Sequence, residues 1–457
     1  MPPRIAMIGA GSIGFTRTLA HDILAVSELR GCELSLTDIN AANLDAVYRL
    51  LERDIAANGF PTKLSKTTDR RAALDGAKYA FCTVRVGGLE AFETDIRIPL
   101  KYGVDQCVGD TLCAGGIMYG QRGIPVLLDV CRDIRDVAPG CVFMNYSNPM
   151  AMLTWACNTY GGVNTIGLCH GVQDSTEVLA NALGVPLSEL DVAAAGINHQ
   201  TWFLTVAHKG RDLRAEVLGA LERHPVYRET EKVRIDILRR FGYWSTESNG
   251  HCSEYVPWYR KRRDRIARWI DRREWIHGET GGYLRFCKKT RATFARDCSR
   301  WLKEPAPDLS SQARSREHGS YIIEAMETGR TYRGHFNVIN RGCITNLPPD
   351  CVIEAPGYID RAGLHTPIVG DLPLACAATC NASVQVQRMA VEAAVRGDVV
   401  LLKQAMLHDP LVGAVCSPPE VWKMADEMIA AQKKWLPQYR VRAARGTERR
   451  RKASGHR

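Results

Sequence analysis

The chain has 457 residues, of which 45% are hydrophobic and 24% charged, as in globular rather than fibrous or disordered proteins. This length is too great for one ordinary hydrophobic core and predicts two closely joined domains. Much of the net charge of +10 comes from residues 440–457, a basic segment that we expect to be disordered rather than to bind nucleic acid.

The apolar runs and the cysteines indicate the cellular compartment. No apolar run approaches the length of a membrane span, and the N-terminal letters "MPPRIAMIGAGSIG" lead directly into a strand pattern rather than a signal peptide. The 16 cysteines are scattered singly, without a C-x-x-C pair, which predicts reduced and mostly buried thiols. We therefore expect a cytoplasmic protein with no membrane partner.

The first predicted elements form a dinucleotide-binding motif. A short apolar strand leads into Gly9-x-Gly11-x-x-Gly14, a helical pattern follows, and a second strand ends at Asp38. In such motifs the glycines allow a tight turn, close approach of a pyrophosphate and close helix packing. We expect Gly9, Gly11, Ser12 and Gly14 to contact the phosphates. Asp38 would accept from the ribose 2′-hydroxyl, which favours NAD over NADP.

Further along the chain, strand and helix patterns alternate, which predicts an α/β fold with a Rossmann-like, doubly wound parallel sheet. We assign residues 1–195 to this NAD-binding domain. We expect residues 196–439 to form an α+β catalytic and oligomerisation domain similar to that of lactate and malate dehydrogenases. The alternating segments are strands at 79–84, 141–149 and 163–169 and helices at about 123–136 and 150–160.

Ligands of such sheets bind at the carboxyl ends of the strands. Arg85, Asn148 and the pair Cys169-His170 follow three of the predicted strands. Cys169 could be a buried apolar residue, a nucleophile or a metal ligand. Because a helix begins directly after it, we expect the pKa of its thiol to be lowered.

The second half begins with an apparent pair of strands, in which His199 lies in or at the end of the first strand. A thiolate and an imidazole alone would leave several positions open on a divalent ion such as Mn²⁺. From spacing alone, however, a core cysteine and an ordinary histidine are commoner. The Arg-rich stretch from Arg260 to Arg273 predicts an amphipathic, solvated helix rather than a phosphate site.

From about residue 4 to residue 438 the chain resembles the family-four glycoside hydrolases, which depend on NAD and a metal, and in particular their α-galactosidase branch. The resemblance implies that Cys169 and His199 bind Mn²⁺ or another divalent cation. It also implies NAD as cofactor, a small α-glycoside as substrate, and a homodimer or homotetramer. The motifs that carry it are "IGAGSIGF", "GGLEAFETDIRIPLKYG", "GDTLCAGGIMYGQRGIPVLLDVCRDI", "NYSNPMAMLTWA", "GLCHGVQ", "AGINHQTWF" and "TESNGHCSEYVPWYRKR".

In this family, which departs from the two-carboxylate scheme, the sugar is oxidised transiently at C3. C2 is then deprotonated, the leaving group is eliminated and water adds. The resemblance implies that Tyr255 is the base and His170 the general acid, although His170 could instead cap a helix. Asp110 would orient water or the C1 oxygens, or simply hold a loop. Asn148 and Arg85 would bind the substrate.

The residue after the metal cysteine also concerns the substrate, since in this family His at that position accompanies unphosphorylated sugars. The chain departs from the best-known α-galactosidases at Gly171, where they have Ser, so α-glucosides and α-linked uronic acids stay open. Two alternatives from other classes are an NAD-dependent 2-hydroxy acid dehydrogenase and a non-catalytic NAD-binding regulator.

Overall fold

The computed structural model describes residues 2–271 and 273–439, so the basic segment 440–457 lies outside the described residues. One mixed sheet dominates the described part of the chain. Its strands are β1 (Arg4–Ile8), β2 (Glu33–Thr37), β3 (Lys63–Thr67), β4 (Tyr79–Cys82), β5 (Val142–Asn145), β6 (Thr165–Gly167), β7 (Leu190–Ile197), β8 (Gln200–His208), β9 (Arg211–Asp212), β10 (Tyr332–Ile339), β11 (Val352–Asp360) and β12 (Gly363–His365).

The first six strands are parallel and lie in the order β3-β2-β1-β4-β5-β6. The order reverses between β1 and β4, where an open α/β sheet forms its ligand crevice. The predicted doubly wound α/β fold is confirmed, with β3 as an additional strand that the sequence analysis did not identify.

The sheet continues beyond β6 through antiparallel strands, in the order β10-β11-β7-β8-β9. Asn337 of β10 pairs with Gly167 of β6, and Glu354 of β11 pairs with Gly196 of β7. The predicted strand pair of the second half is the β7–β8 hairpin. The predicted domain boundary at residue 195 falls inside β7. The division of the chain into two domains stays a prediction.

The helices cover both faces of the parallel strands, and α14 packs along α5 to form the largest apolar core. They are α1 (Ile13–Ala25), α2 (Ala41–Ala57), α3 (Arg70–Leu74), α4 (Gly88–Lys101), α5 (Cys113–Val137), α6 (Met150–Ala156), α7 (Gly171–Leu183), α8 (Arg214–Arg223), α9 (Tyr227–Thr230), α10 (Lys232–Phe241), α11 (Asn249–Glu254), α12 (Gly282–Lys303), α13 (His318–Thr328), α14 (Leu374–Arg396), α15 (Val399–His408), α16 (Pro410–Val415) and α17 (Pro418–Gln432).

Two helix predictions differ from the structure. Helix α5 begins at Cys113, about ten residues earlier than predicted, because its glycine-rich first turns are buried against the loop at Gly109 and Thr111. In the described part of the Arg-rich stretch, residues 260–271 and 273, the helical structure is a short 3₁₀ turn, Ile266–Arg268, so the predicted amphipathic helix is wrong. Arg260 is instead buried, donating to Ser253 and to backbone carbonyls.

The expectation of free and mostly buried cysteines is confirmed. The sixteen cysteines, all at described positions, are free, and fifteen of them are buried. Among residues 2–271 and 273–439, no helix combines the length and apolarity needed to span a membrane.

Candidate active site at the carboxyl edge of the sheet

The turn after β1 brings the predicted nucleotide-binding residues together. Gly9 has φ +86°, a left-handed conformation that favours glycine, and its N–H donates to the Thr37 carbonyl at 2.9 Å. The N–H of Gly11 donates to Asp38 Oδ2 at 2.8 Å. A Cβ atom on Gly11 would lie only 2.8 Å from that oxygen, so glycine lets Asp38 approach the turn.

The N-terminus of α1 faces open space. Ser12 precedes the helix and makes no side-chain cap, which leaves the first N–H groups of the helix available for an anion. A Cβ atom on Gly14 would meet nothing within 4 Å. The expectation that Gly14 serves close helix packing is therefore wrong, and the space beside it is open to a ligand.

The residues that follow β4 and β5 converge on Asp110, which is 1% exposed. Asn148 Nδ2 donates to Asp110 Oδ2 at 3.3 Å, and Arg85 Nη2 lies 3.9 Å from the same oxygen. The guanidinium of Arg85 also lies over the ring of Phe92, 4.7 Å from its centroid. Three predicted site residues therefore occupy one corner of the site.

Cys169 and His199 are brought together with a third residue, Glu247. Cys169 follows β6, whereas His199 lies in the β7–β8 turn with φ +63°. Glu247 Oε1 lies 3.8 Å from Cys169 Sγ and 3.9 Å from His199 Nε2. The three donor atoms lie within 4.8 Å of one another, close enough to share one metal ion.

Burial and negative neighbours set the charge of these groups. Cys169 is 7% exposed, and burial together with Glu354 and Glu247 raises the pKa of its thiol well above the ordinary value. The N–H of Gly171, at the start of α7, donates to Sγ at 3.4 Å but does not offset this. The predicted lowering of the pKa is therefore wrong for the protein without a cation, because burial outweighs the helix terminus.

His199 is arranged as a neutral ligand. Burial lowers its pKa to about 4. Its Nδ1 lies 3.0 Å from the Thr111 hydroxyl, which itself donates to Asp110 Oδ1 at 3.0 Å. This chain of hydrogen bonds assigns the proton to Nδ1 and directs the lone pair of Nε2 toward Cys169 and Glu247, as in metal-binding histidines.

Tyr255 lies directly beside this cluster. Its hydroxyl is 3.3 Å from His199 Nδ1, and the two rings stack with centroids 6.2 Å apart. Burial and the nearby Glu254 and Asp110 raise the pKa of Tyr255 well above its ordinary value. A base at this position consequently requires compensating positive charge.

The element that carries Tyr255 is tied to the loop that carries Asp110. Glu254 is fully buried at the end of α11. It accepts hydrogen bonds from the N–H groups of Cys107, Val108 and Gly109 at 2.7, 3.1 and 3.0 Å. These bonds fix Asp110 and Tyr255 relative to each other.

His170 faces the opening of the site, with its side chain 51% exposed. Its Nδ1 lies 3.2 Å from Glu317 Oε1, and this contact, together with the negative charge of Glu247 and Asp174, raises its pKa from 6.5 to about 9. His170 is therefore a cation at neutral pH and can donate a proton. Its side chain makes no cap on α7, so the capping alternative has no support.

Glu247 and Glu317 are two site residues that the sequence patterns did not indicate. Glu247 lies in the "TESNGHCSEY" motif, where only Tyr255 attracted attention. A carboxylate within eight residues of a suspected base was the available signal for Glu247. For Glu317 we find no signal, since its partner His170 is 147 positions away.

These features define a nucleotide-binding α/β fold with a buried cluster of metal-type ligands at its carboxyl edge. The model of the family 4 glycosyl hydrolases matches residues 4–185, and the model of their C-terminal domain matches residues 194–412. The chain belongs to family 4 of the glycosyl hydrolases. It is accordingly a glycoside hydrolase, and the alternatives of a hydroxy acid dehydrogenase and a regulator are set aside.

The chain is also similar to individual glycosidases. The chain is 60% identical to an alpha-galactosidase of Rhizobium meliloti (strain 1021), over 95% of this chain and 89% of that protein. It is 34% identical to an alpha-galactosidase of Bacillus subtilis (strain 168), over 96% and 100%. A 6-phospho-alpha-glucosidase from gut microorganisms, solved with NAD and Mn²⁺, has the same fold, with TM-score 0.79 at 20% identity and coverage of 96% and 99%.

Proposed function

We propose that the protein is an NAD- and Mn²⁺-dependent α-galactosidase that hydrolyses an unphosphorylated α-galactoside. The observation that carries this proposal is the close pair of Cys169 and His199 beside Tyr255. It lies at the strand ends of a dinucleotide-binding sheet. The alpha-galactosidases to which the chain is similar support the choice of sugar.

The described residues fit both cofactors. The turn at Gly9, Gly11, Ser12 and Gly14 offers an uncapped helix N-terminus to the pyrophosphate, and Asp38 offers a carboxylate to the ribose. Cys169 and the neutral His199 suit a divalent cation. When bound, NAD⁺ supplies reversible hydride acceptance at C3, and the cation supplies positive charge at the sugar oxygens and the Tyr255 phenolate.

The chain's own residues perform the proton transfers. Tyr255 accepts the proton from C2 of the sugar, held in place by the His199 ring and by the buried Glu254 anchor. His170, kept cationic by Glu317, donates a proton to the leaving oxygen. Asp110 orients the incoming water.

Substrate positioning uses the corner around Asp110. We assign Asn148 and Arg85 to the sugar hydroxyls. Asn148 donates a hydrogen bond to the Asp110 carboxylate, and Arg85 lies near it. A uronic acid would need a cation for its carboxylate, and Arg260 of the Arg-rich stretch does not supply one, since it is buried and paired with Asp105. The guanidinium of Arg85 lies 3.9 Å from Asp110 Oδ2, so a carboxylate of the protein already balances its charge.

The experiment is an assay with nitrophenyl α-galactoside, α-glucoside, α-galacturonide and 6-phospho-α-glucoside, in the presence of NAD⁺, Mn²⁺ and a thiol reductant. We expect the α-galactoside to be cleaved fastest, without accumulation of NADH, and cleavage to require both cofactors. Faster cleavage of a uronide or a phosphorylated sugar would overturn the substrate assignment. Undiminished cleavage after removal of NAD⁺ and Mn²⁺ would overturn the mechanism.

We also propose a cytoplasmic location and a homodimer or homotetramer. The free cysteines are compatible with a reducing compartment. Size-exclusion chromatography with light scattering measures the oligomer, and a monomeric mass would refute that part of the proposal.

A further inference from the structure

We propose that Glu247 is a third protein ligand of the divalent cation and that Gly171 is the residue that makes room for it. This inference rests on the proposed function, which assigns only Cys169 and His199 to the metal. It adds a carboxylate from a distant part of the chain and a specific reason for a glycine at the start of α7.

The donor atoms of Cys169, His199 and Glu247 have the spacing of ligands that share one ion. Donors that lie about 2.0–2.3 Å from one shared ion stand about 3–4 Å apart. Glu247 Oε1 is 3.8 Å from Cys169 Sγ and 3.9 Å from His199 Nε2, within this interval. Catalytic metal sites commonly use three protein ligands and leave the remaining positions to water or substrate.

The Glu247 carboxylate occupies the space beside Gly171. A Cβ atom on this residue would lie 2.2 Å from Glu247 Oε1 and 3.0 Å from Cδ, so any other amino acid would displace the carboxylate. Gly171 is the first residue of α7, where alanine would otherwise be a favourable helix residue. The absence of a side chain at Gly171 thus makes room for the Glu247 carboxylate and does not meet a special requirement of the backbone conformation.

Glu247 is held in position by contacts to its backbone and to one side of its carboxylate. Its backbone carbonyl accepts from the Ser175 hydroxyl at 3.3 Å and from the buried Arg234 guanidinium. Its other carboxylate oxygen, Oε2, lies 3.5 Å from His251 Nδ1. With the backbone held and Oε2 on the side of His251, Oε1 is the atom that faces Cys169 and His199. A hard oxygen ligand of this kind favours Mn²⁺ over softer ions.

The test measures Mn²⁺ affinity directly, by electron paramagnetic resonance of free Mn²⁺ during titration of the metal-free protein. Glu247→Gln keeps the size of the side chain and removes its charge, and we expect it to weaken Mn²⁺ binding by roughly 10-fold or more. Gly171→Ala should weaken binding similarly. Because both changes act on one carboxylate, Gly171→Ala should have no further effect in the Glu247→Gln background.

The matched control is Glu177→Gln, an exposed carboxylate on α7 that pairs with Arg316 on the surface. We expect it to leave Mn²⁺ affinity unchanged. NAD⁺ binding, measured by calorimetry, checks that each variant is folded, and Gly171→Ala serves if Glu247→Gln does not fold. Wild-type affinity in a folded Glu247→Gln or Gly171→Ala protein overturns this inference alone. A wild-type protein that binds no Mn²⁺ overturns the proposed function as well.

Discussion

Replacing Glu317 by Gln should move the alkaline limb of the pH profile of kcat/KM to lower pH. Glu317 Oε1 lies 3.2 Å from His170 Nδ1, and this contact is the largest of the causes that raise the pKa of His170 from 6.5 to about 9. An acid catalyst must be protonated to act, so activity falls as pH rises through this pKa. Without the carboxylate the pKa falls, and the loss of activity begins at lower pH.

The size of the effect follows from the two pKa values. At pH 8 a group with a pKa of about 9 is about 90% protonated, whereas one with a pKa of 6.5 is about 3% protonated. We therefore expect Glu317→Gln to lose up to about 30-fold in kcat/KM at pH 8 and much less at pH 6. Glu247 and Asp174, which also raise the pKa, remain in the variant and limit the shift.

The assay is the hydrolysis of nitrophenyl α-galactoside from pH 5.5 to 9.5 with saturating NAD⁺ and Mn²⁺, with Glu177→Gln as the control for a lost carboxylate elsewhere. His170→Asn should remove the alkaline limb altogether. An unchanged limb in Glu317→Gln would show that His170 is not the acid or that Glu317 does not set its pKa.

Further predictions concern the cofactors and the base. Cys169→Ala and His199→Ala should each lower kcat by more than roughly 100-fold, since residues that merely support metal ligands already account for about 10–100-fold. NAD⁺ affinity by calorimetry should be nearly unchanged, and normal turnover in Cys169→Ala would refute the metal assignment. Tyr255→Phe should lose about 10²–10⁴-fold in rate together with exchange of the C2 proton in D₂O, detected by NMR; persistent exchange would indicate another base. Asp38→Asn should weaken NAD⁺ binding by about 10–100-fold, because a hydrogen bond to a charged group is lost, and fluorescence titration with wild-type affinity would contradict its role at the ribose.

The sequence predicted those features that depend on residues close together in the chain. The strand, glycine turn, helix and acid of the nucleotide motif lie within residues 4–38, so their local pattern sufficed. The places of Cys169 and Asn148 at strand ends followed from the alternation of strands and helices. The position of α5 was less accurate, because its first turns are stabilised by packing against a loop and not by an apolar period.

Which side chains meet in the site was decided by tertiary structure. Glu247 reaches Cys169 across 78 positions and Glu317 reaches His170 across 147. Such contacts depend on the packing of elements that no local pattern relates. The charge of Cys169 was decided in the same way: the helix terminus beside it was visible in the sequence, but the burial that raises the pKa of the thiol exists only in the folded chain.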